Sequence, residues 1–252
     1  GSTRVGRLLM EKAAPTLKRL SLELGGNAPF LVFDDADVDR AIAGVIASKF
    51  RNAGQTCVCA NRILVQDGVY DAFAARLTAE VERFVVGNGL QPGVTIGPLI
   101  NTAAVDKVMG HVDDARSRGA VATVGGGRHP LGGHFVEPTV LTDMQRAMRI
   151  GSEETFGPVA PLFRFRTEDE AIDLANSTSY GLAAYFYTEN IRRSWRVAER
   201  LEFGMVGLNT GSVSVETAPF GGVKQSGFGR EGSHMGIDEY LQVKTFHLGD
   251  LS

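Results

Sequence analysis

Cys57 lies in the run Phe50-Arg51-Asn52-Ala53-Gly54-Gln55-Thr56-Cys57-Val58-Cys59-Ala60-Asn61. A helical apolar pattern ends there, Gly54 lets the chain turn, and a strand pattern starts just after the cysteine. A thiol in such a loop can be presented to a ligand and, as thiolate, can attack a carbonyl carbon. The same residue also reads as a small buried hydrophobe, the usual fate of a free cysteine. Glu23 is a second candidate. It closes a short extended run and precedes Gly25-Gly26, residues that let backbone or ligand come close. A carboxylate there can act as a general base, or it can be an ordinary solvated strand end. Cys59, two residues beyond Cys57, would point the same way in an extended segment. The pair could then form a strained disulfide and serve as a redox switch. A buried structural thiol is the plainer reading of Cys59.

These groups need elements to hold them. Apolar spacing predicts helices over residues 3–19, from Val38 to a stop at Gly54, over 70–85, from Asn101 to Arg118, from Thr167 to about Asn176, and from Asn190 to Leu201. Asp37, Asn101 and Asn190 stand where N-caps belong, and Thr167 with Glu170 forms a capping box. Extended runs are predicted at 21–24, 29–33, 61–66, 121–124, 135–141, 158–165, 182–187 and 205–209. Strands alternating with helices give an α/β fold: a mainly parallel twisted sheet flanked by helices. Ligands of such sheets bind outside the carboxyl ends of strands. That directs attention to the loops after Leu24, Phe33, Gln66 and Asn209. Residues 238–247 read as an extended tail able to pair with another chain.

Composition narrows the function classes. Hydrophobic residues are 43% and charged residues 22% of 252, enough apolar material for a core and too much for disorder. The net charge of −3 leaves no basic footprint for nucleic acid. No run of residues is long and apolar enough for a membrane span. Two cysteines are too few for a disulfide scaffold and suit a reducing cytoplasm. The five histidines are scattered, so no metal site is expected. The opening Gly1-Ser2-Thr3, without Met or signal peptide, reads as a tag remnant or as the interior of a longer chain.

Four ordered motifs then point one way. Leu22-Glu23-Leu24-Gly25-Gly26-Asn27-Ala28-Pro29 resembles the glutamate signature of aldehyde dehydrogenases, and Phe50 to Cys59 resembles their cysteine signature, 34 residues from Glu23 to Cys57. Glu153-Glu154-Thr155-Phe156-Gly157-Pro158-Val159 and Pro219-Phe220-Gly221-Gly222-Val223-Lys224 resemble two further markers. The resemblance implies Cys57 as nucleophile and Glu23 as base. It also implies cofactor contacts from Glu154, Phe156, Gly25 and Ser2, with NAD or NADP as cofactor. The stretch Lys49–Arg62 and the stretch Phe228–Tyr240 are most similar to the branch that oxidises succinate semialdehyde. Arg51 and Ser214 would then bind the substrate carboxylate, glutarate semialdehyde being the alternative substrate. A non-catalytic redox-sensing or interaction module built on Cys57 and Cys59 is the reading from another class.

Members of this family are about twice as long. The resemblance therefore implies a remnant of the dinucleotide-binding domain at residues 1–24, a catalytic domain at 25–228 and a C-terminal segment with an oligomerisation strand at 229–252. It implies a homo-oligomer, and weak or no cofactor binding by these residues alone. No nucleic-acid or membrane partner is expected.

Overall fold

The structure is a computed structural model that describes residues 1–250; the last two residues of the expected segment 229–252 lie outside the described residues. One seven-stranded sheet carries the core. In spatial order its strands are β4 (Val121–Val124), β5 (Thr139–Thr142), β6 (Val159–Phe165), β3 (Ala60–Gln66), β2 (Ala28–Val32), β7 (Ala183–Tyr187) and β8 (Met205–Leu208). Every neighbouring pair is parallel except β4–β5. All residues of β2 and β7 are buried, as parallel strands covered on both faces require. Their apolar runs lack alternation for the same reason. Phe30 stacks on Tyr187 at 5.1 Å between ring centroids, and Phe33 meets Phe165 edge-on at 5.4 Å.

The helices start where the caps were expected. Asp37, Asn101, Thr167 and Asn190 each accept a backbone N–H at the starts of α2 (Val38–Val45), α4 (Thr102–Ser117), α5 (Glu168–Asn176) and α6 (Ile191–Arg200). In the expected capping box, Glu170 does not complete the reciprocal bond; its carboxylate accepts from Arg166 N. Helix ends depart further from expectation. The helix expected over 3–19 stops at Ala13 (α1, Thr3–Ala13), because Pro15 cannot donate to the ladder; Leu17 then turns left-handed at φ 51°. The helix α3 spans Asp67–Val81, starting and ending earlier than the expected 70–85.

A separate two-stranded ribbon pairs β1 (Leu22–Glu23) antiparallel with β9 (Gly227–Phe228). Buried Ser226 fastens it, donating to Gly25 O at 2.7 Å and accepting from Gly181 N at 3.0 Å. The expected extended tail is corrected in part. Asp238–Tyr240 forms a short 3-10 turn, and no strand follows it among the described residues. An edge strand requires a partner, and this chain offers the tail none.

Candidate active site

One cleft of about 1000 Å³ is lined by Glu23, Gly25, Arg51, Cys57, Glu154, Phe156 and Ser214, with Ser2 at its edge. Eight of the nine residues singled out from the sequence thus share one cavity. Cys59 is the exception; it is buried, with its sulfur against the Thr56 hydroxyl.

The cleft corrects in part the expectation of a site at the carboxyl ends of strands: the loops after Leu24 and Asn209 reach it through Gly25 and Ser214, but the other groups do not arrive that way. Gly25 also precedes β2, Cys57 precedes β3 and Glu154 precedes β6, so these groups enter at the amino ends. The loops after Phe33 and Gln66 carry ion pairs instead: Asp35 with Arg193 and Asp67 with Arg164. The chemistry here sits on side chains of the connections arriving at the strands, rather than on helix N-termini leaving them.

The Cys57 loop is bent by its own backbone. After α2 the helix widens over Ile46–Phe50, and Asn52, Ala53 and Gly54 all take left-handed φ values of 52°, 54° and 76°. Thr56–Cys59 is a turn closed by Cys59 N donating to Thr56 O at 3.1 Å, so the segment is not extended. The two thiols are free, with Cys57 facing the cleft and Cys59 packed inward. Tyr185 Oη donates to Val58 O at 2.8 Å and Ser48 Oγ accepts from Ala60 N at 3.1 Å, clamping the loop from beneath. From the other side, Gly26 lies so close that a Cβ would fall 2.3 Å from the Cys57 carbonyl oxygen. The glycine of the glutamate motif is thus required by the cysteine motif.

Cys57 and Glu23 line the same cleft and are electrostatically coupled. Burial, then the neighbouring Glu23 charge and a hydrogen bond to Glu23, push the Cys57 thiol up to about 12. Burial also raises the Glu23 carboxyl, and its Oε1 is buried without a hydrogen-bond partner among the described residues. The resting sulfur is therefore a protonated thiol, beside a carboxyl with a free acceptor site. The Cys57 backbone amide works against these effects by favouring the thiolate.

A second loop, Glu153–Phe156, alternates its side chains. Glu154 and Phe156 face the cleft, while Thr155 is buried and the half-exposed Glu153 turns to His111 and Arg149. Buried His111 holds both of these, Thr155 at 3.2 Å and Glu153 at 3.0 Å. Asn61 donates to Glu153 O at 2.9 Å and accepts from Thr155 N at 2.9 Å. Glu154 Oε1 accepts from Gly26 N at 3.0 Å, which works against the raising effect of its burial. Its Oε2 lies over Gly25, where a Cβ would come within 2.9 Å.

Several lining residues escaped the sequence reading. Lys107 lies on α4, and its charge favours ionised Glu154. The i, i+3 spacing of Asn101, Ala104 and Lys107 on a capped helix was the available signal. Gln55 ties the two rims, donating to Asn52 O and accepting from Ile100 N at 2.9 Å. Outside the lining, no signal marked Lys49, whose ammonium is buried without a hydrogen-bond partner among the described residues and brought down to about 8 by desolvation. No cluster of three or more potential metal-ligating side chains occurs among the described residues.

The sequence model of the aldehyde dehydrogenase family matches residues 1–246. The chain belongs to the aldehyde dehydrogenase family. It is 60% identical, along its whole length, to a mitochondrial succinate-semialdehyde dehydrogenase of Arabidopsis thaliana, covering 48% of that protein. A glutarate-semialdehyde dehydrogenase of Pseudomonas aeruginosa is 57% identical, with 100% of this chain and 52% of that protein covered. The crystal structure of succinate-semialdehyde dehydrogenase from Burkholderia pseudomallei superposes with a TM-score of 0.94 at 63% identity, over 95% of this chain and 50% of that one. The chain spans about half the length of the curated relatives it matches.

Proposed function

We propose that this chain is the catalytic part of an NAD(P)-dependent dehydrogenase that oxidises succinate semialdehyde to succinate. One observation supports the reading above the others. Cys57, Glu23 and the guanidinium-bearing Arg51 line one cleft. The distal carboxylate of the aldehyde meets Arg51, which can grip it in bidentate fashion, with the Ser214 hydroxyl alongside. The carbonyl carbon then lies by Cys57. The thiol proton passes to Glu23 as sulfur bonds to that carbon, giving a thiohemiacetal. The Cys57 N–H supports the oxygen that gains charge. Once the thiohemiacetal carbon has lost hydride and Glu23 has released its proton, Glu23 takes a proton from water, whose oxygen attacks the Cys57 thioester; succinate leaves and the sulfur regains a proton.

The residues present fit the nicotinamide end of the cofactor: Glu154 offers Oε2 over Gly25, Phe156 lines the same wall, and Ser2 caps the start of α1. When bound, the nicotinamide supplies the acceptor for hydride. The rest of a dinucleotide would need contacts beyond these residues, so the isolated chain is expected to bind it weakly. Glutarate semialdehyde, one methylene longer, is the second reading, favoured by the name of the Pseudomonas aeruginosa relative. Two free thiols suit a reducing compartment such as the cytoplasm. No described helix is long and apolar enough to cross a membrane.

The test needs no cofactor. Cys57 should be acylated by the p-nitrophenyl monoester of succinate and by p-nitrophenyl butyrate, each releasing nitrophenolate. Arg51→Ala should slow the anionic ester by about tenfold or more and leave the neutral one nearly unchanged. Equal effects on both esters would remove Arg51 from carboxylate binding.

A further inference from the structure

A second cleft, of about 180 Å³, is walled by Arg62, Arg146, Ser152, Ser177 and Gly151, among others, and no carboxylate lines it. Half of the twenty arginines hold acids, among them Arg118, Arg128, Arg149, Arg164, Arg193 and Arg196. Arg62 and Arg146 form no ion pair among the described residues.

Arg62 is the odd member, because it is only 3% exposed. A buried guanidinium without a counter-charge is costly, and chains normally pair it. Here main-chain carbonyls stand in. Arg62 donates from Nε and Nη2 to Asn27 O, from Nη1 to Leu174 O at 2.6 Å, and from Nη2 to Ala175 O at 2.8 Å. These four bonds use four of the five N–H groups of a guanidinium, leaving one on Nη1 without an acceptor. The carbonyls solvate the charge but do not neutralise it. The one neighbouring charge acting on Arg62 is the like charge of Arg146, which adds to burial in disfavouring the cation. Two guanidinia facing one cavity with no acid between them form a site short of a negative charge.

We propose that this cleft binds a small oxyanion of phosphate size between Arg62 and Arg146. The volume admits it: at ~30 Å³ per water, the space equals about six waters, more than one phosphate needs. The hydroxyls of Ser152 and Ser177, now turned to the carbonyls of Arg149 and Leu174, can rotate to donate to the ion. The site also connects to the active-site platform. Arg62 holds Asn27 O, and the Asn27 side chain bonds to Asn61 at 2.7 Å, the residue that fixes the Glu153–Phe156 loop. An ion bound there ties down the base of both active-site loops.

The experiment is a thermal-unfolding titration of the whole chain with sodium phosphate against sodium chloride at matched ionic strength. Phosphate binding to the folded state should raise the midpoint progressively, and chloride should not. Arg62→Gln removes a buried group and can fail to fold, so the deciding variant is Arg146→Gln at an exposed position. It should fold and weaken apparent phosphate affinity by about tenfold or more. Arg51→Gln, in the other cleft, should keep the full phosphate response. Three results would each overturn the proposal: an equal response to chloride, an unchanged response in Arg146→Gln, or loss of the response in Arg51→Gln.

Discussion

Cys57 shows how little a residue type says about reactivity without its surroundings. A thiol pushed up to about 12 is a poor nucleophile at neutral pH, and both burial and Glu23 hold it there. The same carboxylate that suppresses the resting thiolate is placed to take the thiol proton when a carbonyl arrives. The two effects separate experimentally. Glu23→Gln removes the nearby negative charge, so the pH profile of Cys57 alkylation by iodoacetamide should move to lower pH. Turnover of the Cys57 thioester should slow at the same time. A profile that stays in place would mean that burial alone sets the thiol. Both residues were legible in the sequence because two short motifs carried them. The direction of their coupling was not, since it depends on a distance between segments 34 residues apart.

The elements explain why those motifs have their form. The Glu153–Phe156 loop is pinned by Glu153 and Thr155 so that Glu154 and Phe156 meet the cleft, and this pinning depends on pH. The Arg149 guanidinium, then His111, hold the Glu153 carboxyl down at about 2. A depressed carboxyl stabilises the fold above its unfolded value of 4.5 and loses that contribution as pH falls through about 2. His111 is held below its usual 6.5, mainly by burial, so the unfolded chain takes up its proton first and stability starts to fall once pH drops below 6.5. Stability measured by urea unfolding should therefore decline in two stages on acidification. Glu153→Gln should flatten the stage between 4.5 and about 2. An unchanged acid limb in that variant would show that the Arg149–Glu153–His111 contact contributes nothing to stability. At this scale the helix caps were readable, because a cap is a local hydrogen bond. The early end of α1 was readable in principle from Pro15.

The whole molecule leaves apolar surface uncovered. In α1, Val5, Leu8, Leu9 and Met10 are exposed, and after the ribbon so are Tyr240, Val243, Phe246 and Leu248, with Val243 at 99%. Patches of this kind mark surfaces that other protein covers. Sedimentation velocity at micromolar concentration should show self-association. Removing residues 242–250 should lower it while the β1–β9 ribbon and the thermal midpoint stay intact. A monomer with the tail present would overturn this expectation.

Local sequence determined a good deal by itself: the α/β class, most strands, four helix caps and the residues that meet in the cleft. The first three follow from periodicity and short-range hydrogen bonds, which are properties of neighbours along the chain; the cleft residues follow from the resemblance of four motifs to the family. The tertiary structure decided which end of the sheet holds the site, which sulfur faces it, and that Lys49 and Arg62 are buried cations without acids. Those outcomes depend on what desolvates and opposes each group across space, and free energies of that kind are set by neighbours far away in sequence.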